Sequence, residues 1–336
     1  GGAGEMRASA MGVLAGVVCF GSACGEIYQY QPREYSLLFS PYEKPVLHVK
    51  NGDTVVTKTA DAWGFDEKGK PSGRRSNPLT GPFYIEGAEP GDSIAVVLER
   101  LRLNRKTGFQ LSSMAAGAVP PEYHMRKNRF GTVNWVFNLD AMTASPASLS
   151  GMENFHLQLR PMLGCIGTAP RLQEAQASIT ADSFGGNMDY NRIVEGATVY
   201  LPVNVTGAYL FLGDGHAAQG DGEVNGSGIE TSMDVRFRVT ILKKKTIPSA
   251  RVESSEFYMA MGSARPLDDA LQQATVNMIE WLTSEFSLDI QHAQVFLGAA
   301  AEYDIANVAD PRYTVACRVR KVLLRQLIEE IKGSHK

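Results

Sequence analysis

One device recurs from Pro45 to about Ile247 and limits what this chain can fold into: a tight turn of small or polar residues that feeds an alternating β run. Val46-Leu47-His48-Val49 runs into Asn51-Gly52-Asp53, and Thr54–Thr59 follows as a strand. Pro90-Gly91-Asp92 leads into Ser93–Leu101, and Glu195-Gly196 leads into Ala197–Val203. Each joins a residue able to take positive φ to a β-branched run. Gly207–Leu212 and Met233–Leu242 read as further strands, the second with Val235, Phe237, Val239 and Ile241 on one face. The shared identities are too short for a duplicated domain. Strands do not alternate with helices before residue 250, so the body reads as an antiparallel β-sandwich or jelly roll. The long Gly/Pro/Asn-containing segment Asp66–Gly81 reads as a functional or mobile loop.

After Pro248 the texture changes. Pro266 suits a first helical turn, and Leu267, Ala270, Leu271, Ala274, Met278, Trp281 and Leu282 form an apolar stripe at helical spacing. A second helix is expected over Leu288–Glu302 and a third over Val315–Ile331, with a strand-like Tyr303–Val308 between them. The division that follows is a leader over 1–24, a β-rich body over 25–250, and a helical α/β appendage over 251–336. The fold class is mainly β with that appendage, α+β overall.

With 336 residues the chain can bury a large core without a disulfide or metal staple. Its 33 Lys and Arg against 36 Asp and Glu give a net charge of −3, and Lys243-Lys244-Lys245 is its compact basic run. That balance excludes a typical nucleic-acid binder. No Gly-x-Gly-x-x-Gly opens a helix after a strand and no Walker A run occurs, which excludes the common nucleotide cofactors. At the N-terminus GGAGE precedes Met6, which reads as a start. Arg7, the apolar run Ala10–Phe20 and Gly21-Ser22-Ala23-Cys24 then have the parts of a secretory signal. Cys24 suits a lipid anchor, although Gly21 stands where a larger aliphatic is usual. Export, periplasmic or secreted, follows if the leader is a signal, and a cytoplasmic location if it is not. Cys19 and Cys24 fall in the leader; Cys165 and Cys317 remain in the body as a possible pair or as two buried hydrophobes.

Chemistry concentrates in Gly213-Asp214-Gly215-His216-Ala217-Ala218-Gln219-Gly220-Asp221-Gly222-Glu223. Glycines there let the backbone turn tightly and aim short polar side chains at one point. Carboxylates and imidazole that converge repel or desolvate one another unless a cation compensates. A divalent metal on His with Asp or Glu answers this, with zinc as the natural ion; a solvated acidic loop or a calcium-held turn is the plainer alternative. Gly185-Gly186-Asn187-Met188-Asp189 and Gly228-Ile229-Glu230-Thr231 add an amide and two carboxylates, each of which alone would cap a turn.

These runs, with Glu195–Val203, Asn77–Pro82, Tyr84–Asp92 and Gly164–Pro170, stand in an order and spacing that resembles the acetamidase/formamidase family. The resemblance covers about residue 45 to the end; the leader, residues 25–44 and the segment Lys106–Ser150 lie outside it. It implies a hydrolase converting small linear amides such as formamide or acetamide to carboxylic acid and ammonia. It also implies a β-sandwich-rich fold, a divalent metal (zinc, with calcium possible), and a homo-oligomer, commonly a homodimer. The motif positions are Asn187, Asp189, Asp214, His216, Gln219, Asp221, Glu223 and Glu230, and Asp61 matches the family's strand-end Asp-Ala.

A mechanism follows from the residue chemistry. An amide site must polarise the carbonyl, supply hydroxide and protonate nitrogen. Metal on Asp61, Asp189, Asp214 and His216 would do the first two. Glu223 or Glu230 would carry the proton, and Asn187, Gln219 and Gly167 would contact the substrate. Cys165 carries no local signature of a thiol nucleophile. The competing class is an exported metal-containing protein that binds small amides without turnover. The segment Asn104–Ser150, outside the resemblance, leaves room for a larger amide.

Overall fold

The architecture is that of a computed structural model, which describes residues 25–147 and 149–334. The leader reading, with Cys19 and Cys24, lies outside the described residues. Two large sheets stack face to face. The first has nine strands, in the order Ile27–Gln29, Thr54–Lys58, Met233–Leu242, Ser93–Leu103, Thr198–Pro202, Arg251–Glu253, Phe257–Ala264, Tyr313–Arg320 and Glu302–Asn307. The second has eleven, and its centre runs Thr132–Asn138, Thr107–Leu111, Glu230–Thr231, Leu210–His216, Met162–Gly167 and Gly185–Asn187. Leu79–Ile85 also pairs with Leu210–His216.

The alternation read from the sequence drives this stacking. In Met233–Leu242 the residues Met233, Val235, Phe237 and Val239 are buried, while Asp234, Arg236 and Arg238 between them are not. They meet the other sheet directly: the Phe83 ring packs edge-on to Phe237 with centroids 5.2 Å apart. Leu163, Ile166, Leu210 and Leu212 join the same core from the second sheet. Each such side chain contributes about 1.5–3 kcal/mol on burial. Pairing between strands is antiparallel with two exceptions among the described residues, Ile27–Gln29 beside Thr54–Lys58 and Leu47–Val49 beside Leu79–Ile85.

The chain beyond residue 250 departs from the sequence reading. Four of its strands extend the nine-stranded sheet, which passes residue 250 without a break. The expected helix Val315–Ile331 is a strand, Tyr313–Arg320, followed by a helix, Lys321–Ser334. Tertiary pairing decides this: Tyr313–Arg320 is laddered on both sides, over eight residues with Phe257–Ala264 and also with Glu302–Asn307. Its β-branched Thr314, Val315 and Val319 suit that place. The helix Leu267–Glu285 forms as expected and buries Ala270, Ala274, Met278, Trp281 and Leu282. These pack on Ala260, Val315, Cys317 and Val319 of the sheet extension. The helix over Leu288–Glu302 shortens to Ile290–Ala300, capped by Asp289 accepting from the His292 N–H.

Candidate active site

Four strands of the second sheet assemble the acids. Met162–Gly167 lies between Leu210–His216 and Gly185–Asn187, and Glu230–Thr231 pairs with Leu210–His216 from the other side, setting Glu230 opposite His216. The run Gly213–His216, expected as a tightly folded loop, is the buried end of a strand. Glycine there and nearby serves close approach. A Cβ on Gly164 would lie 2.2 Å from Asp189 Oδ1 and 2.6 Å from Asp214 Oδ2, and one on Gly228 would lie 2.5 Å from His216 Nδ1. Backbone strain marks the same residues: φ is 55° at Asn77, 42° at Asp189, 56° at Asp214 and 45° at Glu223. Non-glycine residues seldom adopt this region, and each instance costs on the order of 1–3 kcal/mol. Packing around the site sustains that cost.

Gln219 fixes the imidazole. Its Nε2 donates to the carbonyls of Asp189 at 2.6 Å and Ala306 at 3.3 Å, so its Oε1 is left to accept from His216 Nδ1 at 2.8 Å. His216 Nε2 then faces Glu230 Oε2 at 3.1 Å and Asp214 Oδ1 at 3.4 Å. His216 Nε2, Glu230 Oε2, Asp214 Oδ1 and Asp189 Oδ1 are all buried without a hydrogen-bond partner. Ligand atoms of Asp214, His216 and Glu230 lie within 4.8 Å of one another, as do those of Asp189, His216 and Glu223. Lysine and arginine form no ion pair with these acids among the described residues. Lone pairs converging in a buried place without a donor are what a cation satisfies. The donor set therefore fits a divalent metal.

The titration behaviour points the same way. Burial, reinforced by neighbouring carboxylates, pushes Asp189 and Glu223 well above the usual carboxylate range. Burial brings Glu230 up to about 7 and Asp310 up to about 6. Burial works against ionised Asp214, yet His216 beside it holds it below its ordinary value. Burial likewise opposes a charged His216, but Glu230 and Asp214 raise it well above the ordinary histidine value. The cluster draws positive charge, as a proton or as a metal ion.

The remaining expected residues fall in different places. Asn187 is in the site, but its Nδ2 is already donated to Asp189 Oδ2 at 2.7 Å and Asp310 Oδ2 at 2.5 Å, so it orients acids and has no hydrogen left for a substrate. Gln219 holds His216 and does not line the cavity. Gly167 pairs with Gly185 and Phe211 within the sheet, away from the cavity. Asp221 meets Asn191 Nδ2 at 2.7 Å at an exposed position. Asp61, expected among the metal ligands, has both oxygens taken by protein donors. Oδ1 accepts from the Trp63 and Phe65 N–H groups at 3.0 and 2.9 Å, and Oδ2 pairs with Arg105 Nη2 at 2.6 Å. Cys165 and Cys317 are free and buried, so they do not pair. The Cys165 thiol lies against Asn187 Oδ1, and burial with Asp214 raises it well above its ordinary value, which disfavours the thiolate a nucleophile needs.

Several site residues escaped the sequence reading. Asn77 Nδ2 donates to Asn187 Oδ1 at 3.0 Å and to Asp214 Oδ2 at 3.1 Å, Asp310 closes the other side, and Ser227 stands on the wall with its Oγ accepting from the Leu111 N–H at 2.8 Å. Asn77 opens the Asn77–Pro82 run; Asp310 carries no local signal, because long-range folding brings it in. The acids open on a cavity of about 480 Å³, whose lining includes Asp214, Glu223, Glu230, Asp310, Trp63 and Phe109.

Comparison with known proteins agrees with this arrangement. The sequence model of the Acetamidase/Formamidase family matches residues 172–311, which contain most of the acids above. A putative formamidase of Schizosaccharomyces pombe is 26% identical, covering 60% of this chain and 65% of that protein. The formamidase of Methylophilus methylotrophus is 30% identical over 41% of this chain and 39% of its own length. The match thus spans less than two thirds of these curated relatives. Among solved structures, an acetamidase from Yersinia enterocolitica is 30% identical with a TM-score of 0.78, covering 89% of this chain and 93% of that one. An acetamidase from Bacillus halodurans is 30% identical with a TM-score of 0.77, covering 89% and 99%. On fold, site and sequence together, the chain belongs to the acetamidase/formamidase family.

Proposed function

We propose that this chain hydrolyses linear amides to carboxylate and ammonia with the help of a divalent metal, zinc before calcium. The observation that carries the reading is the convergence of four orphaned buried ligand atoms, on Asp189, Asp214, His216 and Glu230, beside an open cavity. An imidazole shared by both acid groups favours zinc, since calcium sites are built from oxygen alone. When bound, such an ion supplies a Lewis acid that polarises the amide carbonyl and acidifies water.

The chain's own residues do the rest. Asp214, His216 and Glu230, with Asp189, hold the ion through their unpartnered atoms. Glu223 lines the cavity and is not among the orphaned ligand atoms. It accepts the proton of the attacking water and returns it to the departing nitrogen. Gln219 keeps Nδ1 of His216 engaged so that Nε2 faces the acids; partners of this kind are commonly worth 10–100-fold in metal affinity, as an order of magnitude. Ser227, with its Oγ fixed by the Leu111 amide, offers a hydroxyl on the cavity wall where the carbonyl oxygen becomes negative.

The test is ammonia release by purified protein from formamide, acetamide, propionamide and urea, before and after chelation and again after added zinc. The reading expects release from at least one amide, loss on chelation and recovery with zinc. Release that survives full removal of metal removes the metal from the scheme, and no release from any amide removes the hydrolase.

A further inference from the structure

We propose that the amide taken by this site carries an apolar substituent of about phenyl size on its carbonyl carbon, seated on a stack formed by Trp63 and Phe109. The inference rests on the amide-hydrolase reading above and goes beyond it in naming the substrate class.

The cavity lining is of two kinds, the acids Asp214, Glu223, Glu230 and Asp310 and the apolar Trp63, Phe109, Leu111 and Ile179. The Trp63 and Phe109 rings lie nearly parallel, 3.8 Å between centroids and 22° between planes, with Phe109 buried against the more exposed indole. Trp63 remains 40% exposed and Ile179 37% exposed, and both line the cavity, so part of its apolar lining is not covered by protein. At about 480 Å³ the cavity falls in the range of roughly 300–1,000 Å³ that encloses drug-sized ligands. Formamide or acetamide would leave most of it to water.

The apolar wall is also in register with the chemistry. Phe109 pairs with Glu230 across adjacent strands, about 4.8 Å apart in such a sheet. A ring attached directly to the carbonyl carbon therefore reaches the stack while the carbonyl stays at the acids. The wall is built rigidly: Asp61, anchored by Arg105, accepts the Trp63 and Phe65 N–H groups and fixes the turn carrying the indole. Ser227 holds the Leu111 amide in the same way. Asp61 is thus a positioning residue for the pocket. Phe109 and Leu111 belong to the segment Lys106–Ser150, which lies outside the family resemblance, as expected if that segment sets the substrate. The chemistry is unchanged by the larger group. Water adds its oxygen to the carbonyl carbon, the C–N bond breaks, and the nitrogen leaves as ammonia with the transferred proton.

The experiment uses the full-length, zinc-loaded protein and measures ammonia release from benzamide, hexanamide and acetamide, for the wild type, Trp63→Ala and Ile179→Ser. The expected wild-type result is a kcat/KM for benzamide about 10–100-fold above that for acetamide, the scale on which apolar pockets discriminate. In Trp63→Ala that ratio falls about 10-fold, mainly through KM for benzamide, and in Ile179→Ser it falls less. Tryptophan emission gives a readout independent of turnover. Benzamide titrated into metal-stripped wild type changes the emission saturably, and Trp63→Ala, which retains Trp135 and Trp281, shows no such change. Acetamide turned over as well as benzamide, or a ratio unmoved by Trp63→Ala, overturns the substrate assignment and leaves amide hydrolysis standing. A saturable emission change without hydrolysis of any amide supports the pocket and overturns the hydrolase reading. No emission change and no hydrolysis overturns both.

Discussion

Two clusters of buried acid in this molecule are completed in opposite ways. Around Asp304 the cations are built in: Arg192 Nε lies 2.7 Å from Oδ2, Arg318 Nε 3.3 Å from Oδ1, and the Tyr190 hydroxyl donates at 2.8 Å. Around His216 four acids, Asp189, Asp214, Glu223 and Glu230, gather with one imidazole and leave four ligand atoms unmatched. Breaking a buried pair by removing one partner costs about 3–5 kcal/mol, so a fold does not leave such atoms bare without a use. The first cluster is finished by the chain itself and ties the edge strand Glu302–Asn307 to Tyr313–Arg320 and to the Tyr190–Arg192 segment. The second leaves its ligand atoms unmatched by the chain, and it is the one that opens on a cavity.

The comparison can be broken by mutation, and the largest effect belongs to the residue both acid groups share. His216→Ala should abolish turnover and metal binding together while circular dichroism stays native; retained metal at wild-type affinity would show the acids suffice without it. Next in size is the division of labour between the glutamates. Glu223→Gln should cut kcat by roughly 10²–10⁴-fold with metal content intact, whereas Glu230→Gln should lose metal first. The reverse pattern, read by metal analysis beside ammonia assays, would exchange their roles.

The Asp304 cluster should answer in a different currency. Asp304→Asn is expected to lower unfolding free energy by about 3–5 kcal/mol in denaturant titrations and to leave zinc stoichiometry at the wild-type value. A variant that instead sheds metal would mean the two clusters are coupled. The smallest effect is in the pH dependence of the metal-stripped protein. Glu230 rises from the ordinary 4.5 to about 7, so the folded state holds a proton that the unfolded state has released between those values. Stability from that group is full below about pH 4.5 and is lost as pH climbs through about 7. The melting temperature of stripped protein should fall across that window, and added zinc should flatten the fall. A stripped protein that gains stability over the same window would contradict the assignment.

Much of this arrangement was legible in the sequence. Alternation in Met233–Leu242 and the turn before Ser93–Leu103 fixed the sandwich, because each side chain's face follows from strand parity. The density of Asp, Glu, His and Gly from Gly213 to Glu223 marked the site. What escaped depended on partners distant in the chain. Val315 and Val319 incline Val315–Arg320 only weakly toward a strand, and the pairing with Phe257–Ala264 decides it. Asp310 enters the site from more than a hundred residues away through Asn187. Asp61 could be recognised as conforming to a motif, but only the position of Arg105 decides that its charge is already spoken for. Gln219 showed the same limit: its residue type suited substrate contact, and its surroundings make it the support of His216.

The most direct test of the central claim is calorimetric titration of zinc into fully chelated wild-type protein, with His216→Ala as the reference. The account predicts saturable binding of at least one ion per chain, absent from the variant. A wild-type chain that takes up no zinc, or takes it up identically without His216, would mean that the buried acids are completed by protons alone and are not a metal centre.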